Sequence, residues 1–179
     1  LREAIYPRVA FVGQSGSGKT SAALHLDHLA GFNIIQLAGP IKEFVSTITG
    51  LDLDGFNYGP RPESSRSLMQ RVGSAVRTVD KDLLVRSLLV EVERSDPTIR
   101  WVVPDVRFEN ESRLLHRAGF YVIRLFRAQD SQVAGPVPDA DPAYIPHESE
   151  RTEMVSFDEH LAAYTLSGLL KSVEEAVLA

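Results

Sequence analysis

The clearest chemical signal lies between Gly13 and Thr20, where Gly-Gln-Ser-Gly-Ser-Gly-Lys-Thr matches the pattern G-x-x-x-x-G-K-[ST] in full. Glycines let the main chain turn so that successive N–H groups face phosphate oxygens, and a following helix adds its positive N-terminal end. Lys19 can reach the β and γ phosphates of ATP, and the Thr20 hydroxyl can ligate Mg²⁺. The residues predicted to bind the nucleotide are Gly13, Ser15, Gly16, Ser17, Gly18, Lys19 and Thr20.

A carboxylate at a strand end is the second candidate. Arg100-Trp-Val-Val-Pro104 has the composition of a buried strand, and Asp105 follows it directly. In P-loop proteins an acid at this position, the Walker-B position, holds Mg²⁺ or its water. The plainer interpretation is an aspartate that caps a turn or a helix. Because a P-loop is present, we predict Thr20 and Asp105 as the metal-binding residues.

One face of a predicted helix over residues 64–79 could bind a second substrate. Its residues recur at i, i+4, i+7 and i+11 and are Arg66, Gln70, Gly73 and Arg77. Gly73 would let a flat ring approach the backbone, and Gln70 can make paired hydrogen bonds to a base edge. The two arginines can clamp a phosphate. The alternative is a solvated basic face, the usual location of surface arginines.

Apolar runs and helix-period segments alternate along the chain. Strands are predicted over residues 8–13, 33–38, 100–104, 121–126 and 160–164. Helices are predicted over residues 19–29, 40–49, 64–79, 82–93, 109–118 and 167–178. This alternation predicts an α/β fold in one domain over 1–179, with a mostly parallel five-stranded sheet covered by helices on both faces. The carboxyl ends of the strands would bring the Gly13 loop, Asp105 and Arg127 to one edge.

The bulk composition narrows the function classes. The 179-residue chain has 44% hydrophobic residues, a net charge of −5 and no cysteine. The lack of cysteine excludes a disulfide framework, a zinc–thiolate site and a thiol nucleophile. An acidic chain is not expected to bind polymeric nucleic acid, and no apolar run approaches the roughly 20 residues of a membrane span. A strand-like segment rather than a signal peptide begins within the first ten residues, so we expect a cytoplasmic protein with no membrane partner.

Several short pieces of sequence occur in an informative order. They are the Gly13–Thr20 loop, Leu37-Ala-Gly-Pro-Ile-Lys42, Arg66-x-Leu-Met-Gln70-x-x-Gly73, Val103-Pro-Asp105-Val-Arg107, Gly119-x-x-Val122-Ile-Arg124 with Arg127, and His147-x-Ser149-Glu150. In this order they resemble the bacteriophage-type deoxynucleoside monophosphate kinases, a branch of the P-loop nucleotide kinases. The loop is generic, whereas the Leu-Ala-Gly-Pro-Ile-Lys and Leu-Met-Gln-x-x-Gly pieces are far more specific.

The resemblance implies a fold, an activity and partners. The fold would be a P-loop kinase-like three-layer sandwich, with a substrate-binding helical region over about 40–95 and a lid-like loop over about 128–150. The activity would be transfer of the γ-phosphoryl group of Mg-ATP to a deoxynucleoside monophosphate. ATP and Mg²⁺ would be the cofactors. The resemblance is compatible with a homodimer, and a phage-encoded protein would act in the host cytoplasm.

The resemblance also implies roles for single residues. It places Lys42 near the acceptor phosphate, and it places Asp105 and Arg107 between the two nucleotides. The implied substrate-binding residues are Lys42, Arg66, Gln70, Gly73 and Arg77, and the implied catalytic residues are Lys19, Asp105, Arg107 and Arg127. Taken alone, Lys42 is a solvated helix lysine, and Arg107 could equally pair with Glu109 or Glu111.

The chain departs from the nucleotide-kinase pattern in the predicted lid. Residues 128–150 contain no lysine or arginine, so this loop could exclude water but could not clamp charge. Arg124 and Arg127 are the cations just before it. Residues i and i+3 on a strand face opposite sides, and we favour Arg127 because it lies nearer the carboxyl end of the strand.

Two rival functions remain at this point. The first is a P-loop kinase for a non-nucleotide phosphorylated metabolite, against which only the Gln70–Gly73 face argues. The second is a nucleotide-binding switch. A GTPase switch should show Asn-Lys-x-Asp for guanine, and the chain has no such tetrad. Asp52-Leu-Asp-Gly55 mimics another switch motif, D-x-x-G, but it lies in a loop after a helix.

Overall fold

A parallel β-sheet with helices on both faces forms the frame of the protein. The structure is a computed structural model that describes residues 3, 5–14, 16–52, 63–127, 155–163 and 165–178, without the side chains of residues 63, 64, 66 and 127. The strands in this part of the chain are β1 (Arg8–Val12), β2 (Phe32–Ile34), β3 (Arg100–Val106), β4 (Tyr121–Arg127) and β5 (Glu159–Ala163). The helices in the same part are α1 (Lys19–Ala30), α2 (Gly39–Thr49), α3 (Glu63–Val79), α4 (Leu83–Arg94), α5 (Glu109–Arg117) and α6 (Leu166–Val177).

The strand order in the sheet is β2-β3-β1-β4-β5. Each neighbouring pair is parallel, with Val12 opposite Val106 on β3 and opposite Arg124 on β4. The predicted α/β class with a parallel five-stranded sheet is therefore confirmed. Because all the strands point the same way, the residues that follow β1 and β3 and the end of β4 lie at one edge.

Alternation along β1 builds the two halves of the core. Val9 and Phe11 are fully buried among side chains of α1 and α6, whereas Ala10 and Val12 are buried among those of α4 and α5. Successive side chains of a strand point to opposite faces of the sheet, so an uninterrupted apolar run serves both faces. This double burial holds β1 rigidly beneath the loop that follows it.

A smaller apolar cluster joins α2 to α3. Ile41 and Val45 of α2 and Leu84 of α4 are buried, and apolar residues of α3 pack against them. The partly buried residues of this cluster are Leu51, Leu68, Met69, Val72 and Val76. The helical region that was predicted to bind the second substrate therefore has a small core of its own beside the main sheet.

Strand β2 is shorter than the sequence predicts. The predicted strand over residues 33–38 was wrong at its carboxyl end, since β2 ends at Ile34 and Gly39 N donates to Gln36 O at 3.1 Å in a turn. The main-chain N–H groups of Leu37 and Ala38 are taken by the Asp105 carboxylate, so they cannot continue a sheet ladder.

Much of the predicted loop over 50–63 and all of the predicted lid over 128–150 lie outside the described residues. Among the helices that the structure describes, none combines the length and the apolarity that a membrane span requires. The remaining predicted helices match the observed ones to within one residue at each end.

Candidate active site

The loop between β1 and α1 depends on glycine for its shape. Gly13, Gly16 and Gly18 have φ angles of 155°, 82° and 96°, values that residues with a Cβ rarely adopt. Ser17 is 2% exposed, and its N–H donates to Gln14 O at 3.2 Å. The sequence pattern of a phosphate-binding loop thus has the backbone geometry that the pattern predicts, while Ser15 lies outside the described residues.

Lys19 begins α1 and folds back over this loop. Its Nζ donates to Gly13 O at 2.7 Å, to Gln14 O at 2.5 Å and to Ser17 Oγ at 3.3 Å. The lysine is only 8% exposed, so its charge is solvated by neutral oxygens of the loop. A buried ammonium group in such surroundings attracts an anion strongly, because little water screens it.

Gly13→Ala is expected to destabilise the protein at the entry to this loop. A Cβ on Gly13 would lie 2.5 Å from the Leu125 carbonyl oxygen and 2.7 Å from Ser17 Oγ, so the main chain would have to move. Overpacking of this kind costs about 1–3 kcal/mol. Denaturant unfolding would measure the change in the free energy of unfolding.

Gly39→Ala provides the matched control for that substitution. Gly39 begins α2, and a Cβ there would meet nothing within 4 Å. Alanine is also a better helix former than glycine, so this variant should be as stable as the wild type or slightly more stable. Equal stability of the Gly13→Ala variant and the wild type would contradict the predicted clash.

Asp105 makes two main-chain hydrogen bonds across the sheet edge. Its Oδ1 accepts from Leu37 N and its Oδ2 accepts from Ala38 N, both at 2.9 Å. The carboxylate therefore anchors the segment that leads into α2. The sequence predicted a metal-binding role for Asp105, so this anchoring is an additional role. A carboxylate offers about four lone-pair sites. The anchoring bonds thus leave sites at which the predicted Mg²⁺ or its water could bind.

Lys42 lies in the first turn of α2 and is 8% exposed. Its Nζ donates to Gln36 Oε1, and its main-chain N–H donates to Ala38 O at 2.9 Å. The interpretation of Lys42 as a solvated helix lysine is therefore wrong. The lysine is instead held close to the segment that Asp105 anchors, near the carboxyl ends of β2 and β3.

Helix α3 carries the predicted substrate-binding face on a single unbroken helix. Gly73 is buried within this face, and a Cβ there would lie 3.0 Å from Arg77 Nη1 and 3.3 Å from Ile41 Cδ1. The space beside Gly73 is thus bordered by Ile41 of α2 and by the Arg77 guanidinium group. Gln70 is partly buried on the same face, and the Arg66 side chain lies outside the described residues.

Arg77 is paired with the buried carboxylate of Glu111, which the sequence suggested only as a partner of Arg107. Arg77 Nη2 donates to Glu111 Oε1 at 2.9 Å, and its guanidinium carbon lies 4.2 Å from the centroid of the Phe108 ring. The side chains of Arg77 and Glu111 are 19% and 2% exposed. The basic face of α3 is therefore neither fully solvated nor wholly free to bind a phosphate.

Glu111 also accepts hydrogen bonds from the main chain that follows β3. Its Oε2 accepts from Arg107 N at 3.0 Å and from Phe108 N at 3.1 Å. Burial raises the pKa of the Glu111 carboxyl group, while the charge of Arg77 and the hydrogen bond from Arg107 oppose that rise. A glutamate at the third position of a helix is a known capping signal, and that signal could have identified the main-chain half of this role.

Of the two arginines near the end of β4, Arg124 is the one whose side chain the structure describes. Arg124 Nη2 donates to Val155 O at 3.0 Å, and its guanidinium carbon lies 4.6 Å from the Phe157 ring centroid. Arg124 therefore fixes the chain that leads into β5. Arg127 ends β4 at the predicted edge, but its side chain lies outside the described residues.

Oxygen ligands for a hard cation are present at this edge. Thr20 is exposed in the first turn of α1, which follows the loop directly, and Asp105 is partly exposed after Pro104. Across the residues with described positions, no cluster of three or more His, Cys, Asp or Glu side chains could hold a metal ion. The donor set fits Mg²⁺, which is usually bound by one or two protein oxygens together with substrate phosphates and water.

Comparisons with known proteins give weak similarities. No protein-family model and no curated protein matches the chain. A shikimate kinase from Acinetobacter baumannii, solved with shikimate, has a TM-score of 0.48 and 13% identity, covering 96% of this chain and 93% of that one. A sugar kinase from Janibacter sp. has a TM-score of 0.44 and 14% identity, covering 95% and 93%. A gluconokinase from Sinorhizobium meliloti has a TM-score of 0.42 and 14% identity, covering 93% and 88%.

At these TM-scores and identities, the similarity identifies neither a shared substrate nor a shared reaction. The chemistry of this chain must therefore be argued from its own residues. Those residues lie in two groups, the glycine loop with Lys19, and the network that joins Asp105, Glu111 and Arg77 to α2 and α3.

Proposed function

We propose that this protein is a P-loop phosphotransferase that transfers the γ-phosphoryl group of Mg-ATP to a deoxynucleoside monophosphate. The observation that carries the proposal is the Gly13–Thr20 loop, whose glycine-dependent main chain and buried Lys19 lie at the carboxyl edge of a parallel sheet. Helix α1 starts at this loop, and its N-terminal end favours negative charge. A triphosphate is the ligand that this combination of groups fits best.

The cofactors of the proposed reaction are ATP and Mg²⁺. Lys19 and the loop N–H groups would bind the phosphates, and the Thr20 hydroxyl with the Asp105 carboxylate would hold the cation. When bound, Mg²⁺ supplies positive charge between the phosphate oxygens. Lys19 would exchange its bonds to Gly13 O and Gln14 O for bonds to phosphate oxygens, which carry a full negative charge.

The chain would catalyse transfer by positioning and by charge neutralisation. The acceptor oxygen of a monophosphate is already anionic at neutral pH, so no strong general base is required. Arg107 follows β3 and Arg127 ends β4, and these strands flank β1 on its two sides. Arginines at these positions would neutralise charge as the phosphoryl group moves between the two nucleotides.

The acceptor would bind between α2 and α3. Lys42 would supply a buried cation there, and Gln70 and Arg77 of α3 would contact the acceptor, with Arg66 implied by the resemblance alone. The resemblance in Leu37-Ala-Gly-Pro-Ile-Lys42 and Leu68-Met-Gln70-x-x-Gly73 supports a nucleotide as this acceptor. A small nucleotide also suits the net charge of −5 better than polymeric nucleic acid does. A homodimer and a cytoplasmic location belong to the same proposal.

A second candidate is a P-loop kinase of a non-nucleotide phosphorylated metabolite. One observation favours it over the first: beside Gly73, where a flat ring was expected to approach, even an added Cβ would lie 3.0 Å from the Arg77 guanidinium group and 3.3 Å from Ile41. Without an open Gly73, Gln70 would be the chief base-reading group on α3. The cations of the acceptor region would suit either kind of phosphorylated acceptor.

The test is an acceptor screen. ADP release from Mg-ATP would be measured with each common deoxynucleoside monophosphate, each matching ribonucleotide and phosphomevalonate, for the wild type and the Lys19→Ala variant. We expect turnover with at least one deoxynucleoside monophosphate, at a rate that falls about 10²–10³-fold in the Lys19→Ala variant.

The other outcomes of the screen are equally informative. Turnover with phosphomevalonate alone would contradict the nucleotide proposal and support the metabolite kinase. ATP binding without turnover of any of these acceptors would contradict the nucleotide proposal and leave a kinase of another metabolite or a nucleotide-binding switch. Equal rates with deoxynucleotides and ribonucleotides would retain the kinase but remove the deoxy preference, which rests on the resemblance alone.

A further inference from the structure

The end of β3 is joined to the acceptor region by two carboxylates, the partly exposed Asp105 and the buried Glu111. Asp105 accepts from the main chain of Leu37 and Ala38, which leads into α2, and Glu111 accepts from Arg77 of α3. Helices α2 and α3 touch each other where Ile41 meets Gly73. These contacts close a ring that runs from β3 through α2 and α3 and back to β3.

Glu111 is the member of this ring that no predicted role explains. It is 1% exposed, although burying a carboxylate is costly unless it is paired and hydrogen-bonded. A helix cap needs only the bond to Phe108 N, and exposed carboxylates make such bonds without burial. The additional bonds of Glu111 go to Arg77 and to the main chain of Arg107, residues that the proposed reaction uses on its acceptor side.

We infer that Glu111 is a positioning residue for the acceptor site, which holds the Arg77 guanidinium group and the Arg107 main chain in one fixed arrangement. The inference rests on the proposed function, since it concerns how that acceptor is bound. Arg77 is a long side chain with many rotamers, and ordering it costs conformational entropy. The ion pair with Glu111 and the contact with the Phe108 ring order the Arg77 side chain before an acceptor binds. Acceptor binding then loses less conformational entropy and is more favourable.

Glu111→Gln tests the inference because it keeps the size of the side chain and removes its charge. The amide oxygen could still accept from the main chain, but the amide NH₂ group would then face the Arg77 guanidinium group, and both are donors. We expect the KM for the acceptor to rise about tenfold or more, the scale of one charge-assisted hydrogen bond. The KM for ATP should change less than about twofold, because Arg77, Arg107 and Phe108, the hydrogen-bond partners of Glu111 described above, lie outside the Gly13–Thr20 loop.

Arg77→Met and the double variant show whether Glu111 acts through Arg77. If it does, the acceptor KM of the Arg77→Met, Glu111→Gln double variant should match that of Arg77→Met alone, since coupled residues are not additive. The Arg77 side chain is 19% exposed and that of Glu111 is 2% exposed, so replacing Arg77 should disturb the fold less. If Glu111→Gln folds poorly, Arg77→Met therefore still tests the pair. Additive effects on the acceptor KM would overturn the inference.

Glu109→Gln is the matched control. Glu109 lies on the first turn of the same helix and accepts from Ser156 N at 2.6 Å and Ser156 Oγ at 2.8 Å. Its substitution removes a carboxylate that holds main chain elsewhere, so the acceptor KM should stay as in the wild type. An equal rise in acceptor KM for Glu109→Gln and Glu111→Gln would overturn the inference in favour of a general effect of removing a carboxylate from the first turn of α5.

Wild-type turnover separates the inference from the function on which it rests. No turnover with any acceptor would overturn the proposed function and the inference together. Turnover by the wild type with an unchanged acceptor KM in a folded Glu111→Gln variant would overturn the inference alone.

Discussion

Replacing Lys19 with alanine is expected to lower kcat by about 10²–10³-fold, the loss seen when one preorganised donor is removed from a developing negative charge. Lys19 Nζ lies within 2.7 Å of Gly13 O and is nearly excluded from water, so its charge acts where screening is weak. Removing the ammonium group leaves the loop N–H groups, and ATP should still bind. Single-turnover and steady-state ADP release would measure the loss, and equilibrium binding would measure the Kd for ATP.

Lys171→Ala is the control for this substitution. Lys171 lies on α6 with a side chain that is 77% exposed, and it pairs only loosely with Glu175 at 3.8 Å. The same chemical change there should leave kcat and the Kd for ATP as in the wild type. A Lys19→Ala variant that retained the wild-type kcat would contradict the assignment of Lys19 to phosphoryl transfer.

Local sequence patterns were enough to predict the frame of the site. The β1 run is apolar without interruption because Phe11 and Val12 pack on opposite faces, and the glycines that follow mark a loop that other residues could not form. The helix starts and ends also follow from local signals. Gly31 and Gly50, for example, end α1 and α2 in the left-handed conformation. Patterns of this kind carry no information beyond a few turns of chain.

Contacts between distant residues explain what the sequence could not predict. Arg77 and Glu111 are 34 residues apart, and each has an ordinary local interpretation, as a surface arginine and as a helix-capping glutamate. The apolar pattern of Ile35 and Leu37 favours a longer β2, but Asp105, 68 residues beyond Leu37, takes the N–H that a longer strand would use. Gly73 was interpreted as space for a ring because the neighbour that covers it, Ile41, belongs to another helix.

These distant contacts give the two halves of the proposed site different characters. The phosphate loop is local: Lys19 bonds to residues within 6 positions of itself, and its geometry follows from its own glycines. The acceptor half is assembled from α2, α3 and α5, and its groups keep their places only while long-range bonds hold. Replacing Lys19 in the first half should therefore change kcat, whereas substitutions in the second half should change stability and acceptor KM together.

Asp105→Ala is the strongest test of that distinction. The substitution removes the acceptor of both Leu37 N and Ala38 N, and an unpaired buried main-chain N–H, such as that of Leu37, costs about 1–3 kcal/mol. We expect a lower free energy of unfolding and a higher acceptor KM, because the segment that carries Lys42 loses its anchor. Denaturant unfolding and steady-state kinetics at varied acceptor concentration would measure the two effects.

The matched control is Asp158→Ala. The Mg²⁺ dependence of the rate separates the anchoring role of Asp105 from its proposed role in Mg²⁺ binding. Asp158 Oδ2 accepts from Val122 N at 2.6 Å near the amino end of β4, so its loss should lower stability while leaving the acceptor KM unchanged. If Asp105 also holds Mg²⁺, Asp105→Ala will raise the Mg²⁺ concentration that gives half-maximal rate, and Asp158→Ala will not. An Asp105→Ala protein with wild-type stability and an altered Mg²⁺ requirement would contradict the anchoring role, because it would mean that the bonds to Leu37 and Ala38 contribute nothing to the fold.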